Sequence, residues 1–471
     1  MTTADWLLVV LYASVASLAG GHALMTRGDS RAAWGWIAAC WLFPLGGALL
    51  YYLLGSNRIQ RRARRYLMTA DGRDRAEPDG IPPAIPGVHA DELRELARIG
   101  RAMSHRRLHR GNLVEPLFNG DQAYPAMLDA IRQARTSVGL TSYLFENHGA
   151  AMDFIDALAV ARQRGVDVRV VVDGLADLYY WPRASWLLRD RGVPVARFLP
   201  PRLLPPMLHI NLRNHRKLLV VDDRVAFLGG INIGDHHVVM RWRRKGIADL
   251  HFRVTGPVVA DLAAVFNADW SSSAGEPPRA GPPAAAPTGS AACRVLTDGP
   301  DHDLDRLVMV LLGALANAHN TVRIMTPYFL PPAALAGALQ SAALRGVDVR
   351  VLIPERSNEP WVDWAARRGL EPSLRNDIQV RERPAPFAHT KLFIVDDYYV
   401  QVGSANLDAR SLRLNFELML EVYDRTLAAE LSRHFDEAWS TSRPLDLATL
   451  ARRPFWKRLR DSFFWLFSNY F

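Results

Sequence analysis

The sequence predicts an α/β protein of two related halves sharing one central site, preceded by an N-terminal transmembrane helical hairpin. Three observations predict it: a six-position motif present twice, a heptapeptide present twice at matching places, and two uncharged apolar stretches at the N-terminus. The motif copies are NHRKLLVVDDRVAFLGGIN from Asn214 to Asn232 and AHTKLFIVDDYYVQVGSAN from Ala388 to Asn406. His215, Lys217, Asp222, Gly229, Gly230 and Asn232 align with His389, Lys391, Asp396, Gly403, Ser404 and Asn406. The heptapeptide RGVDVRV runs from Arg164 to Val170 and from Arg345 to Val351. With 471 residues the chain has room for two or three domains. A repeat this long that occurs only twice implies two fused copies related by an approximate two-fold axis, with the motifs meeting at their interface.

Taken in order, Trp6 to Met25 and Ala33 to Leu54 are free of charged residues, each about the ~20 residues that cross a bilayer as helix. A cleaved signal peptide is disfavoured, because Asp5 stands where a positive charge belongs and the second stretch follows closely. Pro44, Gly46 and Gly47 are expected to kink the second stretch or let helices pack closely. Arg58, Arg61, Arg62, Arg64 and Arg65 then form a basic collar. Charge bias places such a collar in the cytoplasm, so the reading is a multi-pass protein of the inner (cytoplasmic) membrane with its two repeated domains on the cytoplasmic side.

The expected boundaries are 1–56 for the hairpin, 57–112 for a basic juxtamembrane linker with a helical patch from Asp91 to Met103, and 113–270 for the first domain. They continue with 271–292 for a Pro, Ala and Gly-rich linker, 293–445 for the second domain and 446–471 for a basic aromatic tail. Periodicity predicts helix over Asp121 to Ala134, strand over Ser137 to Tyr143, helix over Ala151 to Arg164 and strand over Val166 to Val172. The second half repeats the order with helix over Asp303 to Ala318, strand over Thr321 to Thr326, helix over Pro332 to Leu344 and strand over Val347 to Ile353. Phe266 with Trp270, and Phe435 with Trp439, have helical spacing and read as core. The tail's Phe455, Trp456, Phe463, Phe464, Trp465, Phe467 and Tyr470, beside its basic cluster, suit either an interfacial helix on an anionic bilayer or a helix packed on the domain. The Pro-rich run from Phe198 to Ile210 reads as a lipid entrance or a buried interface loop.

Composition narrows the partners. A net charge of +9 and a pI near 9.7 call for an anionic partner, and the collar beside an apolar stretch favours a membrane over nucleic acid. Cys40 and Cys293 alone exclude a disulfide framework or a cysteine-rich metal site. No cofactor and no metal cluster is implied, and the adjacent His236 and His237 read as surface histidines, with contact to lipid headgroups as the alternative.

Within each motif, His and Lys two residues apart on a strand face the same way, and the glycines let a neighbouring backbone approach. Paired, they suit phosphodiester chemistry without a metal. A histidine near its ordinary pKa serves as nucleophile or acid, lysines supply fixed positive charge, and Asn232 and Asn406 bind nonbridging oxygens. Ser404 is a further phosphate-binding candidate with no counterpart at Gly230.

The second motif continues as GSANLDARSLRLNFE from Gly403 to Glu417. With the paired motifs this resembles the phospholipase D superfamily with its HKD motifs, and within it the bacterial cardiolipin synthases. WIAACWLFPLGGALLYYLLGSNR likewise resembles their membrane module. The resemblance implies two phospholipase D-like α/β/α domains. It also implies a phosphohistidine mechanism with His215 as nucleophile, His389 as acid, and Asp249 and Glu417 orienting the histidines. Asp222 and Asp396 belong to the catalytic motif, bracing it rather than touching substrate. The implied reaction condenses two phosphatidylglycerol molecules to cardiolipin and glycerol. Hydrolysis to phosphatidic acid, a superfamily nuclease and a noncatalytic membrane scaffold are the alternatives. One departure stands out: the stretch GLEPSLRNDIQVRERPAPFAHTK lacks the family's aliphatic-Gly-Val turn, which puts the local shape of the second half in question.

Overall fold

The computed structural model describes residues 2–26, 30–54, 89–201, 212–277, 281–300 and 305–468, with the single positions 82, 84 and 279. The arginine collar and most of the Pro-rich run before the first motif lie outside the described residues. The chain divides into two compact units, 1–66 and 67–471.

In the first unit, Thr3–Thr26 is one apolar helix of 24 residues, long enough to cross a bilayer. The second apolar stretch is not one helix but two, Ser30–Leu42 and Pro44–Leu54. The break falls at Pro44, which lacks the N–H that would continue the ladder. Ala23, Cys40 and Tyr51 pack together between these helices, and Tyr51 Oη lies 2.7 Å from Nδ1 of His22.

Among the described residues, the second unit is organised on one sheet of 15 strands. Numbering only the strands of this sheet, the first half contributes β1 (His109–Phe118), β2 (Ser137–Ser142), β3 (Asp167–Asp173), β4 (Val195–Phe198), β5 (Leu218–Val221), β6 (Val225–Gly229) and β7 (Leu250–Thr255). The second half contributes β8 (Ala291–Asp298), β9 (Thr321–Met325), β10 (Asp348–Pro354), β11 (Gln379–Arg383), β12 (Leu392–Val395), β13 (Tyr399–Gly403) and β14 (Glu417–Tyr423), with β15 (Arg443–Leu445) at the edge. From the centre outward the orders are β1-β7-β6-β5-β2-β3-β4 and β8-β14-β13-β12-β9-β10-β11. The same order twice, joined where β1 and β8 pair antiparallel, is the duplication expected from the repeats.

The helices and strands predicted in each half form close to the expected bounds. In the first half these are Asn119–Gln133, β2, Ala150–Gln163 and β3; in the second, Arg306–Ala316, β9, Ala333–Leu344 and β10. Val138 and Leu140 of β2 face the core with the first two helices. Gly139, on the opposite face, lies against Phe266 of helix Val259–Ala274, so the sheet is covered on both sides. The helix predicted over 91–103 forms as Ala90–Ser104, and its Leu93, Leu96 and Ala97 join the second half's core.

The identical heptapeptides have a structural reason. Gly165 and Gly346 take left-handed φ of 88° and 94°, which ends a helix without steric cost. Arg164 donates to the carbonyls of Ile131 and Ala134, and Arg345 to those of Leu315 and Ala318, so each arginine caps the preceding helix.

Candidate active site between the halves

Each histidine is placed by the partner half's backbone. The N–H of His215 donates to the carbonyl of Phe416 at 3.0 Å, and that of His389 to Ala248 at 2.8 Å. Phe416 and Ala248 each precede an acid, so Glu417 and Asp249 reach across the interface. Glu417 Oε1 lies 2.9 Å from His215 Nδ1, and Asp249 Oδ2 lies 2.7 Å from His389 Nδ1. A carboxylate on Nδ1 sets that nitrogen as the N–H and leaves Nε2 for chemistry. Both imidazoles are buried, as are both acids.

The lysines complete the cluster. Lys217 Nζ donates to the carbonyl of His215 at 2.6 Å and sits 5.3 Å over the ring of Tyr143. Lys391 Nζ contacts the His389 carbonyl and lies 2.9 Å from His389 Nδ1. Burial, then the neighbouring lysines, hold both histidines well below the usual range. Burial also lowers both lysines, Lys391 to about 8. Burial raises Asp249, and it raises Glu417 to about 7 against the opposing pull of Lys217. Burial and the lysine charge thus favour neutral imidazoles.

The other sequence candidates divide. Asn232 and Asn406 are buried just beyond their motif glycines. Ser404 is committed elsewhere: its hydroxyl donates to Glu417 Oε2 and accepts from the N–H of Leu418. Its hydroxyl hydrogen is spent on the Glu417 carboxylate, with none left for phosphate. At the matching place, a Cβ on Gly230 would stand 2.5 Å from Asp249 Oδ1. One half therefore holds its acid with a serine hydroxyl and the other makes room for it with a glycine.

Asp222 and Asp396 are not brought to the histidines. Asp222 accepts from the backbone N–H groups of Arg135, Thr136 and Ser137, and Asp396 from those of His319, Asn320 and Thr321. Each ties the turn after a motif strand to the start of β2 or β9. Although burial opposes it, these N–H groups keep Asp222 below its usual pKa.

Four residues near the cluster escaped the sequence reading. His237, read there as a surface residue, is buried, with its ring centroid 6.4 Å from that of His389. His236 does remain partly exposed, stacked on Trp242 at 4.2 Å. His251 is buried beside Asp249, and its position two residues along the strand was the available signal. Tyr143 packs edge-on against His215 with centroids 5.0 Å apart. Arg410, inside the LDARS run, adds a charge that disfavours protonation of His215.

Two duplicated α/β halves meeting at a paired histidine and lysine cluster define a phospholipase D-type protein. The family model described as cardiolipin synthase, PLD-like domain, matches residues 127–270 and 311–439, and the chain belongs to that family. It is 29% identical over 456 residues to the major cardiolipin synthase of Bacillus subtilis strain 168, covering 93% of each chain. It is 28% identical over 481 residues to cardiolipin synthase A of Cronobacter sakazakii, covering 99% of this chain and 98% of that one. Among solved structures, phosphatidylserine synthase of Haemophilus influenzae Rd KW20 shares the fold with a TM-score of 0.62 at 16% identity, covering 81% of this chain and 100% of its own.

Proposed function

We infer that this chain is a membrane-bound phosphatidyltransferase that condenses two phosphatidylglycerol molecules to cardiolipin and glycerol. The observation that carries the reading is the crossed pair of buried histidine and acid dyads flanked by Lys217 and Lys391, in a chain of the cardiolipin synthase family. In the reaction we propose, His215 Nε2 attacks the phosphorus of one phosphatidylglycerol. The P–O bond to glycerol breaks, and His389, protonated at Nε2 once the bound phosphodiester anion offsets the lysine charge, gives that proton to the departing oxygen and becomes neutral. Neutral His389 then takes the proton from the hydroxyl of a second phosphatidylglycerol, whose oxygen attacks phosphorus and releases His215. Lys217 and Lys391 bear the charge that develops on the nonbridging oxygens, with Asn232 and Asn406 beside them.

The helix Thr3–Thr26 and the broken apolar stretch after it support anchoring in the inner membrane as a multi-pass hairpin. The arginines from Arg58 to Arg65 support a cytoplasmic site. Anionic phospholipid is the partner that the basic balance favours, and no cofactor enters the proposed steps.

The test is incubation of the full chain, in vesicles containing labelled phosphatidylglycerol and chelator, followed by lipid separation. Cardiolipin and glycerol in equal amounts are expected, and neither should form with His215→Ala or His389→Ala. Phosphatidic acid as the sole product would replace the transferase reading with a hydrolase.

A further inference from the structure

We propose that the C-terminal helix Phe455–Trp465 is a docking surface for an anionic lipid bilayer, a contact separate from the N-terminal apolar helices. The proposal rests on the reading above that the substrate is an anionic lipid.

The helix has two faces of opposite character. Its inner face is fixed to the catalytic unit. Asp461 is buried and paired with Arg453 at 2.9 Å and Arg460 at 2.8 Å. Phe464 packs against Leu330, Ala365 and Ala366 and meets Trp364 edge-on at 5.0 Å, while the Arg460 guanidinium lies 4.1 Å over the Trp364 ring. A helix held this way is a rigid part of the domain rather than a loose tail.

Its outer face is apolar and exposed among the described residues. Phe455, Leu459, Phe463 and Leu466 recur at three or four residue spacing along one stripe, with Trp456 and Phe467 beside it. Phe455 is 77% exposed, Leu466 67% and Trp456 59%. Single exposed apolar residues are ordinary, but a contiguous stripe of six marks an interaction surface.

Charge selects the occupant. Arg452 and Arg458 are exposed beside the stripe, and Lys457 Nζ lies 5.4 Å over the Trp456 ring. Aromatic and aliphatic residues flanked by cations fit the headgroup and acyl boundary of an anionic leaflet. The placement also fits the chemistry. Leu330, under Phe464, belongs to the short strand Phe329–Leu330, which pairs with Leu407–Asp408 directly after Asn406. A bilayer on the outer face would therefore lie over the lobe that carries the second motif.

Amide hydrogen exchange on the full chain in phosphatidylglycerol-containing and phosphatidylcholine-only nanodiscs tests this without requiring turnover. We expect residues 455–467 to exchange at least threefold more slowly in the anionic discs, the difference shrinking in high salt. The double variant Trp456→Ser, Phe463→Ser, which changes only exposed side chains, should lose that protection while the rest of the exchange map stays unchanged. Equal exchange in the two discs, or protection that follows protein concentration and so reports a second copy on the stripe, overturns the proposal. Cardiolipin formation assayed in parallel separates failure of the docking surface from failure of the proposed reaction: protection without product leaves this proposal standing alone.

Discussion

Glu417 of the second half holds the imidazole of His215 of the first, Oε1 to Nδ1 at 2.9 Å, while Asp249 of the first half holds His389 of the second at 2.7 Å. Neither half contains a complete dyad. Duplication at this interface therefore yields a site whose two histidines depend on docking of the halves.

The crossing gives a test of which histidine attacks. With His215 as nucleophile and His389 as acid, Glu417→Gln impairs attack and Asp249→Asn impairs protonation of the leaving group. Both should lower turnover of phosphatidylglycerol by roughly 10²–10⁴-fold. A phosphatidyl ester of p-nitrophenol needs no acid, so Asp249→Asn and His389→Ala should recover at least tenfold in release of nitrophenolate, and Glu417→Gln should not. Recovery of the Glu417 variant instead would reverse the two roles.

The unequal support of the two acids predicts unequal mutational cost. A side chain on Gly230 collides with Asp249, so Gly230→Ala should cost 10²-fold or more in turnover. Ser404→Ala removes one hydrogen bond to a charged group, worth about 1.5–3 kcal/mol, and should cost roughly 10–100-fold. Steady-state kinetics with a circular-dichroism check of folding decide this; a Ser404 variant worse than the Gly230 one would contradict the assignment.

Asp222 is a motif residue held by backbone N–H groups rather than at the histidines. Asp222→Ala strands three backbone N–H groups at the start of β2 and should lower stability by about 1–3 kcal/mol, with turnover per folded molecule within about threefold of the parent. Lys217→Ala should show the opposite pattern. Thermal unfolding in detergent, set beside kcat, separates the two.

His251 links the site to acid stability. Burial, with Lys217 adding to it and Asp249 opposing it, holds His251 at about 4, below the ~6.5 of an unfolded histidine. Between those values the unfolded chain binds the extra proton, so stability is fully present above ~6.5 and is lost as pH falls toward 4. The pseudo-equivalent residue is Met419. His251→Met should therefore flatten the acid side of the stability profile, recovering on the order of 1 kcal/mol at pH 5.5 relative to pH 7.5. An unchanged difference in Tm between those two pH values would show that His251 is not the group responsible.

The sequence carried the duplication and the α/β class, and it set both histidines and both lysines in the repeated motif, because each depends on local pattern. Alternation pairs His215 with Lys217 even though both lie just before β5 rather than in it, helical spacing marks Phe266 with Trp270, and repeated RGVDVRV reports a cap made by Arg and Gly at those places. The same local reasoning anticipated a kink at Pro44, where the chain breaks into two helices. It misjudged His237, since adjacency to His236 says nothing of which ring turns inward.

What only the tertiary structure decided is pairing across distance. Whether Glu417 serves His215 or His389 depends on the parallel contact of Asn214 with Phe416 and of Ala388 with Ala248, which joins segments about two hundred and one hundred and forty residues apart. Periodicity along a chain reports which face a side chain takes. It carries no information about which distant strand will arrive opposite that face, because that is set by how two finished domains pack.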